Sequence, residues 1–301
     1  MRLNRLNHFY AVCLSILFLI GLLSFPSFDT YAAAKYETKY NYSSSGSTVT
    51  ITQSGRYIDT ISHSGGHVQP QMAFAKGVAY YTVKIGDSYY LCSKDLNTKN
   101  THYYRRLPNE YQIWHPSDVY AGSIYLFAGN GSDNCACYRF YMKNGKLKKL
   151  CDGGYTKRVG KYIICDPSHT YGSLGPLMQI YVYDTKMDTT KMIENGSCGY
   201  SIVGNVIYYS HNLHGRTSLS GTKGLSDDFS IQTYNLKTGK KKTIVKKIKA
   251  THISKIGKKY VYYSVLKNNG KSGSSEKYYK YDIKSKKKVA ITFAQYKKTY
   301  K

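Results

Sequence analysis

Tyr279-Lys280-Tyr281-Asp282-Ile283-Lys284-Ser285-Lys286-Lys287-Lys288 decides the reading of this chain, because its order of aromatic, acidic or amide, apolar and basic residues returns upstream. Thr233-Tyr234-Asn235-Leu236-Lys237-Thr238-Gly239-Lys240 is the clearest relative. Then come Tyr181-Val182-Tyr183-Asp184-Thr185-Lys186, Phe140-Tyr141-Met142-Lys143-Asn144-Gly145-Lys146 and, weakest, Lys94-Asp95-Leu96-Asn97-Thr98-Lys99. Measured at Asp95, Tyr141, Asp184, Asn235 and Asp282, the copies are spaced 46, 43, 51 and 47 residues apart. A period of that size signals a repeat architecture. A second landmark keeps phase with the first: a Gly followed by an apolar, Tyr-rich run, as in Gly77-Val78-Ala79-Tyr80-Tyr81, Gly204-Asn205-Val206-Ile207-Tyr208-Tyr209 and Gly257-Lys258-Lys259-Tyr260-Val261-Tyr262-Tyr263.

Together the landmarks define a unit of four strands. The first ends at the Gly turn and the second is the Tyr-rich run. A polar connector of variable length leads to the third, which carries the Asp282-type landmark, and a tight Lys/Gly/Ser turn leads to the fourth, such as Val289-Ala290-Ile291-Thr292-Phe293. Four antiparallel strands in about 45 residues, repeated, is the signature of a β-propeller, with a two-sheet sandwich as the competing arrangement. The composition agrees: 34 Tyr favour half-buried strands, and 26 Gly against 6 Pro favour tight turns. The fold class expected is therefore all-β, a propeller of about five four-stranded blades over residues 76–301. Residues 35–75 read as an N-terminal β-hairpin, Thr48 to Thr52 against Tyr57 to Ile61 around Ser54-Gly55. It either adds outer strands or forms a sixth, incomplete blade.

Residues 1–34 read as a signal peptide: Arg2 and Arg5, an apolar run from Phe9 to Phe25, then Ala32-Ala33-Ala34. An uncleaved anchor is the alternative. No later stretch is apolar enough to cross a membrane, so the mature chain is expected to be secreted or associated with the cell surface. The formal charge is +27, and removing Arg2, Arg5 and Asp29 leaves +26. On an exported protein such an excess points to anionic partners, above all cell-wall polymers or acidic polysaccharides. The lysines lack interleaved Arg and aromatic stacking positions, which speaks against sequence-specific nucleic-acid recognition. Cys92, Cys135, Cys137, Cys151, Cys165 and Cys198 allow three disulfides or a set of buried free thiols.

The repeat, above all Ile207-Tyr208-Tyr209 followed by Tyr234-Asn235-Leu236-Lys237-Thr238-Gly239-Lys240, resembles the blades of secreted bacterial propellers of uncharacterised function, related to TolB-like and low-density-lipoprotein-receptor-like propellers. The resemblance covers roughly residues 76–293. It implies blade structure and brings no catalytic residues with it. The Tyr-Trp-Thr-Asp signature of receptor-type blades is missing.

A propeller separates its turns from its connectors, and the residues differ between them. The tight turns carry Lys240, Lys241, Lys258, Lys259, Lys286 and Lys287, expected to meet an anionic surface. The connectors 128–136, 167–178, 211–230 and 266–277, with the inter-blade link 111–116, carry the residues expected to bind a ligand: Trp114, His115, His169, Tyr171, His211 and His214. Trp114, the one Trp of the chain, offers a stacking surface or a buried lock between blades. His211 and His214 have a spacing seen in metal sites, but it aligns two ligands only on a helix, and this Gly/Ser-rich connector is none. No metal or cofactor is expected. Glu37, Glu110, Glu194 and Glu276 are the only Glu, and no nucleophile elbow or phosphate loop appears. A non-catalytic binding propeller, with a protein or glycan ligand, is the leading reading; a carbohydrate-active enzyme with its site at the propeller axis is the alternative.

Overall fold

A computed structural model describes residues 36–43, 46–130, 134–166, 177–220, 225–268 and 274–300. Residues 1–34, expected to be a signal peptide, lie outside them. The described chain begins with β1 (Tyr36–Ser43), β2 (Gly46–Gln53) and β3 (Arg56–Ser62), an antiparallel meander. Ser54 and Gly55 join β2 to β3 with φ of +50° and +76°. Positive φ at both positions is the type I′ geometry whose twist suits a two-residue hairpin. β1, an exposed edge strand, pairs with β2 on the side away from β3.

Next, β4 (His67–Val68) and β5 (Ala73–Ala75) both lie along β6 (Val78–Ile85), which continues into β7 (Ser88–Asp95) and β8 (Thr101–Arg106). Four four-stranded antiparallel sheets follow in chain order. They are β9 (Ile113–Tyr120), β10 (Ser123–Gly129), β11 (Cys135–Tyr141) and β12 (Leu147–Cys151); β13 (Gly154–Val159), β14 (Tyr162–Asp166), β15 (Met178–Asp184) and β16 (Thr189–Ser197); β17 (Tyr200–Val203), β18 (Val206–Asn212), β19 (Asp227–Asn235) and β20 (Lys241–Ala250); and β21 (His252–Ile256), β22 (Tyr260–Asn268), β23 (Ser274–Asp282) and β24 (Lys288–Ile291).

The core lies between successive sheets. In a strand, consecutive side chains point to opposite faces, and here both faces are covered, so the second strand of each repeat reads as a continuous apolar run instead of an alternation. Tyr208 packs forward with Phe229 and Ile231 against Ile253, Val261 and Tyr263, whereas its neighbours Ile207 and Tyr209 pack backward with Ile164 and Val182. Likewise Leu126 faces Tyr80 and Leu91, while Tyr125 faces Ile163 and Tyr183. Val49, Ile51 and Ile61 of the N-terminal meander pack on Ala79, Tyr81 and Val83 in the same manner.

The last strand ends earlier than the sequence suggested. Thr292 accepts from the Gln295 amide and Gln295 Oε1 accepts from the Thr292 amide, a capping box that starts helix α1 (Phe293–Lys297). Tyr296 of α1 is buried against Tyr278 and within 2.9 Å of His252 Nδ1, so the helix covers part of the outer face of the last sheet.

Candidate functional site

The landmark residues act first as turn caps. Asp95 Oδ1 accepts from the amides of Asn97 and Thr98, Asp184 from Lys186 and Met187, Asn235 from Lys237 and Thr238, and Asp282 from Lys284 and Ser285, all at 2.8–3.2 Å. A carboxylate or amide two residues before a turn amide makes this bond without distorting the strand, which is why the position recurs as Asp or Asn. In the second repeat Tyr141 stands there, and its carbonyl takes the amides of Asn144 and Gly145 instead. The residue after each landmark donates to the preceding turn: Leu96 to Gly77, Met142 to Gly122, Thr185 to Lys161, Leu236 to Asn205 and Ile283 to Lys259. The two tight turns of every four-stranded repeat are thus hydrogen-bonded side by side.

On these turns Lys240, Lys258, Lys259, Lys286 and Lys287 are exposed, and Lys286 holds a left-handed φ of +58°. Lys241 is different: its ammonium donates to the carbonyl of Ile193 at 2.6 Å and lies over the Tyr209 ring, bracing two sheets.

At the opposite ends of the strands, the connector after β18 carries a polar cluster. His211 Nδ1 lies 3.0 Å from Oε2 of the buried Glu194 of the preceding sheet. His214 Nε2 sits 3.4 Å from Asp227 and 3.6 Å from Asp228. Asp227 also receives Arg216 and the side-chain Nδ2 of Asn212, and Asp228 pairs with Lys247 at 2.8 Å, which with His214 holds its carboxyl below the usual range. Asn212 Oδ1 in turn accepts the amides of His214 and Arg216, fixing the loop. Sequence spacing revealed the two His but not Glu194, which comes from another sheet. Among the described residues no set of three His, Cys, Asp or Glu side chains is arranged to hold a metal ion.

The remaining expected residues fall elsewhere. Trp114 is fully buried: it donates to the Pro108 carbonyl and packs edge-on to Tyr111 and against Tyr138. It locks two sheets together and presents no stacking surface to a ligand, a correction to its place among the binding residues. His115, on the other side of β9, is half-buried and stacks on Phe127 at 4.8 Å. His169 and Tyr171 lie outside the described residues. All six described Cys are buried, and burial pushes the thiols of Cys92 and Cys198 up to about 12. They are packing residues, with Cys137, Cys151 and Cys165 sharing one core between two sheets.

Successive four-stranded meanders in chain order, stacked face to face on one another, decide the architecture. The chain is a β-propeller. No family model and no curated relative matches the propeller's sequence. Among solved structures it is similar to TolB of Acinetobacter baumannii, at 14% identity and a TM-score of 0.34, over 81% of this chain and 59% of TolB. It is similar to a prolyl endopeptidase at 10% identity and a TM-score of 0.42, over 82% of this chain and 38% of that one. To nidogen in complex with laminin the figures are 10% and 0.34, over 87% and 95%. The propeller thus spans less than two thirds of the first two, and none of the three carries a residue or an activity across.

Proposed function

We propose that this propeller is an exported binding protein: its connector side meets a protein or glycan ligand, and its Lys-bearing turns hold it to an anionic polymer of the cell surface. The observation that carries the reading is where the carboxylates go. The turn aspartates spend one oxygen on backbone amides, and although Asp184 also holds Lys161 at 2.6 Å, Lys240, Lys258, Lys259, Lys286 and Lys287 form no ion pair among the described residues. In the connector cluster, by contrast, each carboxylate meets a cation or an imidazole. Ligand contacts on that side would come from His115, His211 and His214, with His169 and Tyr171 added from the neighbouring connector.

The enzymatic alternative needs a carboxylic acid held protonated near neutrality. The aspartates that shift do so downward, at Asp59, Asp95, Asp184, Asp188, Asp228 and Asp282, which supports binding over acid catalysis. The test is retention on isolated cell walls as salt rises. Ion pairing is screened over about 10 Å at 0.1 M salt, so the protein should be released at moderate ionic strength. Retention that ignores salt removes the electrostatic part of the proposal.

A further inference from the structure

The outer face of the last sheet differs from every other. In the preceding sheets, second-strand residues on this face are buried against the next repeat. In the last one Tyr260 and Tyr262 are only half-buried, and the five-residue helix α1 covers one side of them. Between β22, the turn before it and the helix end runs an open groove of about 660 Å³. Five ammonium groups line it, from Lys255, Lys258, Lys259, Lys280 and Lys298, and among the described residues lining it there is no carboxylate and no Arg.

The five cations have no carboxylate at ion-pair distance among the described residues; Asp282 attracts Lys259 from farther off. Lys94, Lys99, Lys148, Lys149, Lys161 and Lys247 each hold an aspartate, but among the described residues none of the groove lysines forms an ion pair. Asp282, beside Tyr260 in register, has its Oδ1 on the amides of Lys284 and Ser285. Two of the lysines share one aromatic ring: Lys280 Nζ stands 3.8 Å and Lys259 Nζ 5.0 Å from the centroid of Tyr260. A ring quadrupole is a weak partner, about 0.5–1 kcal/mol per cation at an exposed site, and two like charges over one ring oppose each other. An anion entering the groove relieves that repulsion.

The donor chemistry narrows the anion. A guanidinium fork serves carboxylate and phosphate alike, whereas rotatable ammonium groups act as point charges that can follow the oxygens of successive phosphates along a chain. A groove of this size exceeds one phosphate and suits a ligand of several groups. We propose that the groove binds a soluble chain of linked phosphate groups, such as a phosphodiester wall polymer, in an extended conformation against Tyr260. This rests on the reading that the turn lysines face anions, and narrows it to one site and one class of anion.

The experiment titrates the full chain with inorganic tripolyphosphate by calorimetry and compares two variants of equal charge. Lys258→Gln with Lys280→Gln alters the groove; Lys242→Gln with Lys246→Gln alters exposed β20 positions of the preceding repeat that are not among the turn lysines. The expected result is one tripolyphosphate per chain, weakened at least tenfold by the groove pair and less than twofold by the control pair, with poly(glycerol phosphate) competing and polyglutamate failing to compete. Equal weakening by both pairs, equal competition by polyglutamate, or preference for phosphatidylglycerol vesicles over tripolyphosphate would each overturn the proposal. Salt-sensitive wall retention that survives in the groove variant would sink the groove alone; loss of wall retention in the unaltered protein would sink the wider reading.

Discussion

Asp188→Asn probes the contact that ties the second repeat to the third. Arg139 is buried and donates to Ser123 Oγ, Tyr183 OH and the Thr185 carbonyl, with the Tyr141 ring 4.3 Å from its guanidinium. Asp188 supplies the counter-charge at 3.6 Å and also receives Tyr183, Tyr141 and Lys148. Burial alone would raise its carboxyl, yet these bonds hold it at about 2, below an ordinary 3.8. At about 1.36 kcal/mol per pH unit the difference would reach roughly 2.4 kcal/mol. The Asp188 side chain is 45% exposed, so solvent screening reduces this to about 1 kcal/mol. The folded-state value lies below the unfolded one, so the contribution is complete above pH 3.8 and disappears as pH falls toward 2. Urea denaturation of both proteins between pH 7 and pH 2.5 should therefore show a gap of about 1 kcal/mol that narrows in acid. A gap of constant size down to pH 2.5 would mean that the Asp188 charge does not hold Arg139 in place.

The buried Trp114 predicts blue-shifted native fluorescence resistant to acrylamide, and Trp114→Ala should cost about 3–5 kcal/mol; red, readily quenched emission from the folded protein contradicts the packing. Asp184→Ala should cost about 1–2 kcal/mol in urea because two turn amides and Lys161 lose their partner, whereas Asp184→Asn should recover most of it, as Asn235 does the same work in the next repeat. Burial holds the His252 imidazole below its ordinary 6.5. Its contribution is therefore present above pH 6.5 and lost as pH falls toward the folded-state value. Hydrogen-exchange protection of the Tyr296 amide, which reports on helix docking, should drop between pH 7.5 and pH 5; equal protection at both would refute the linkage.

The repeat was legible because its signals are local. The Asp282-type cap closes within three residues, and a Tyr-rich doublet such as Tyr208-Tyr209 marks a strand buried on both faces wherever it stands. What stayed hidden depends on contacts between sheets. Arg139 and Thr185 are 46 residues apart, and Glu194 reaches His211 from the preceding sheet; no spacing rule in a single sequence contains such pairs. Trp114 illustrates the same limit, since exposure was decided by how Tyr111 and Tyr138 close over it. The helix α1 was a different failure: Thr292 and Gln295 announce a capping box, but the β-propensity of Val289-Ala290-Ile291 masked it.

The position of the charge needs two explanations, and they are separable. With both faces of most strands buried, charged side chains are driven to turns and outer strands, so lysine on turns follows from the fold alone. That argument applies equally to acidic residues, which would have neutralised the turns had they been recruited there as side-chain partners. Instead the turn aspartates bond backbone amides first, with Asp184 and Asp188 also holding a lysine, and carboxylates elsewhere are spent on particular partners, as at Asp59 with Lys94 and Asp118 with Arg158. The fold therefore accounts for where lysine sits but not for why so much of it is unpaired. An inert, solubilising lysine is best dispersed, because convergent ammonium groups repel. Five lysines that form no ion pair among the described residues, converging on one groove, are what a partner carrying the opposite charge would require.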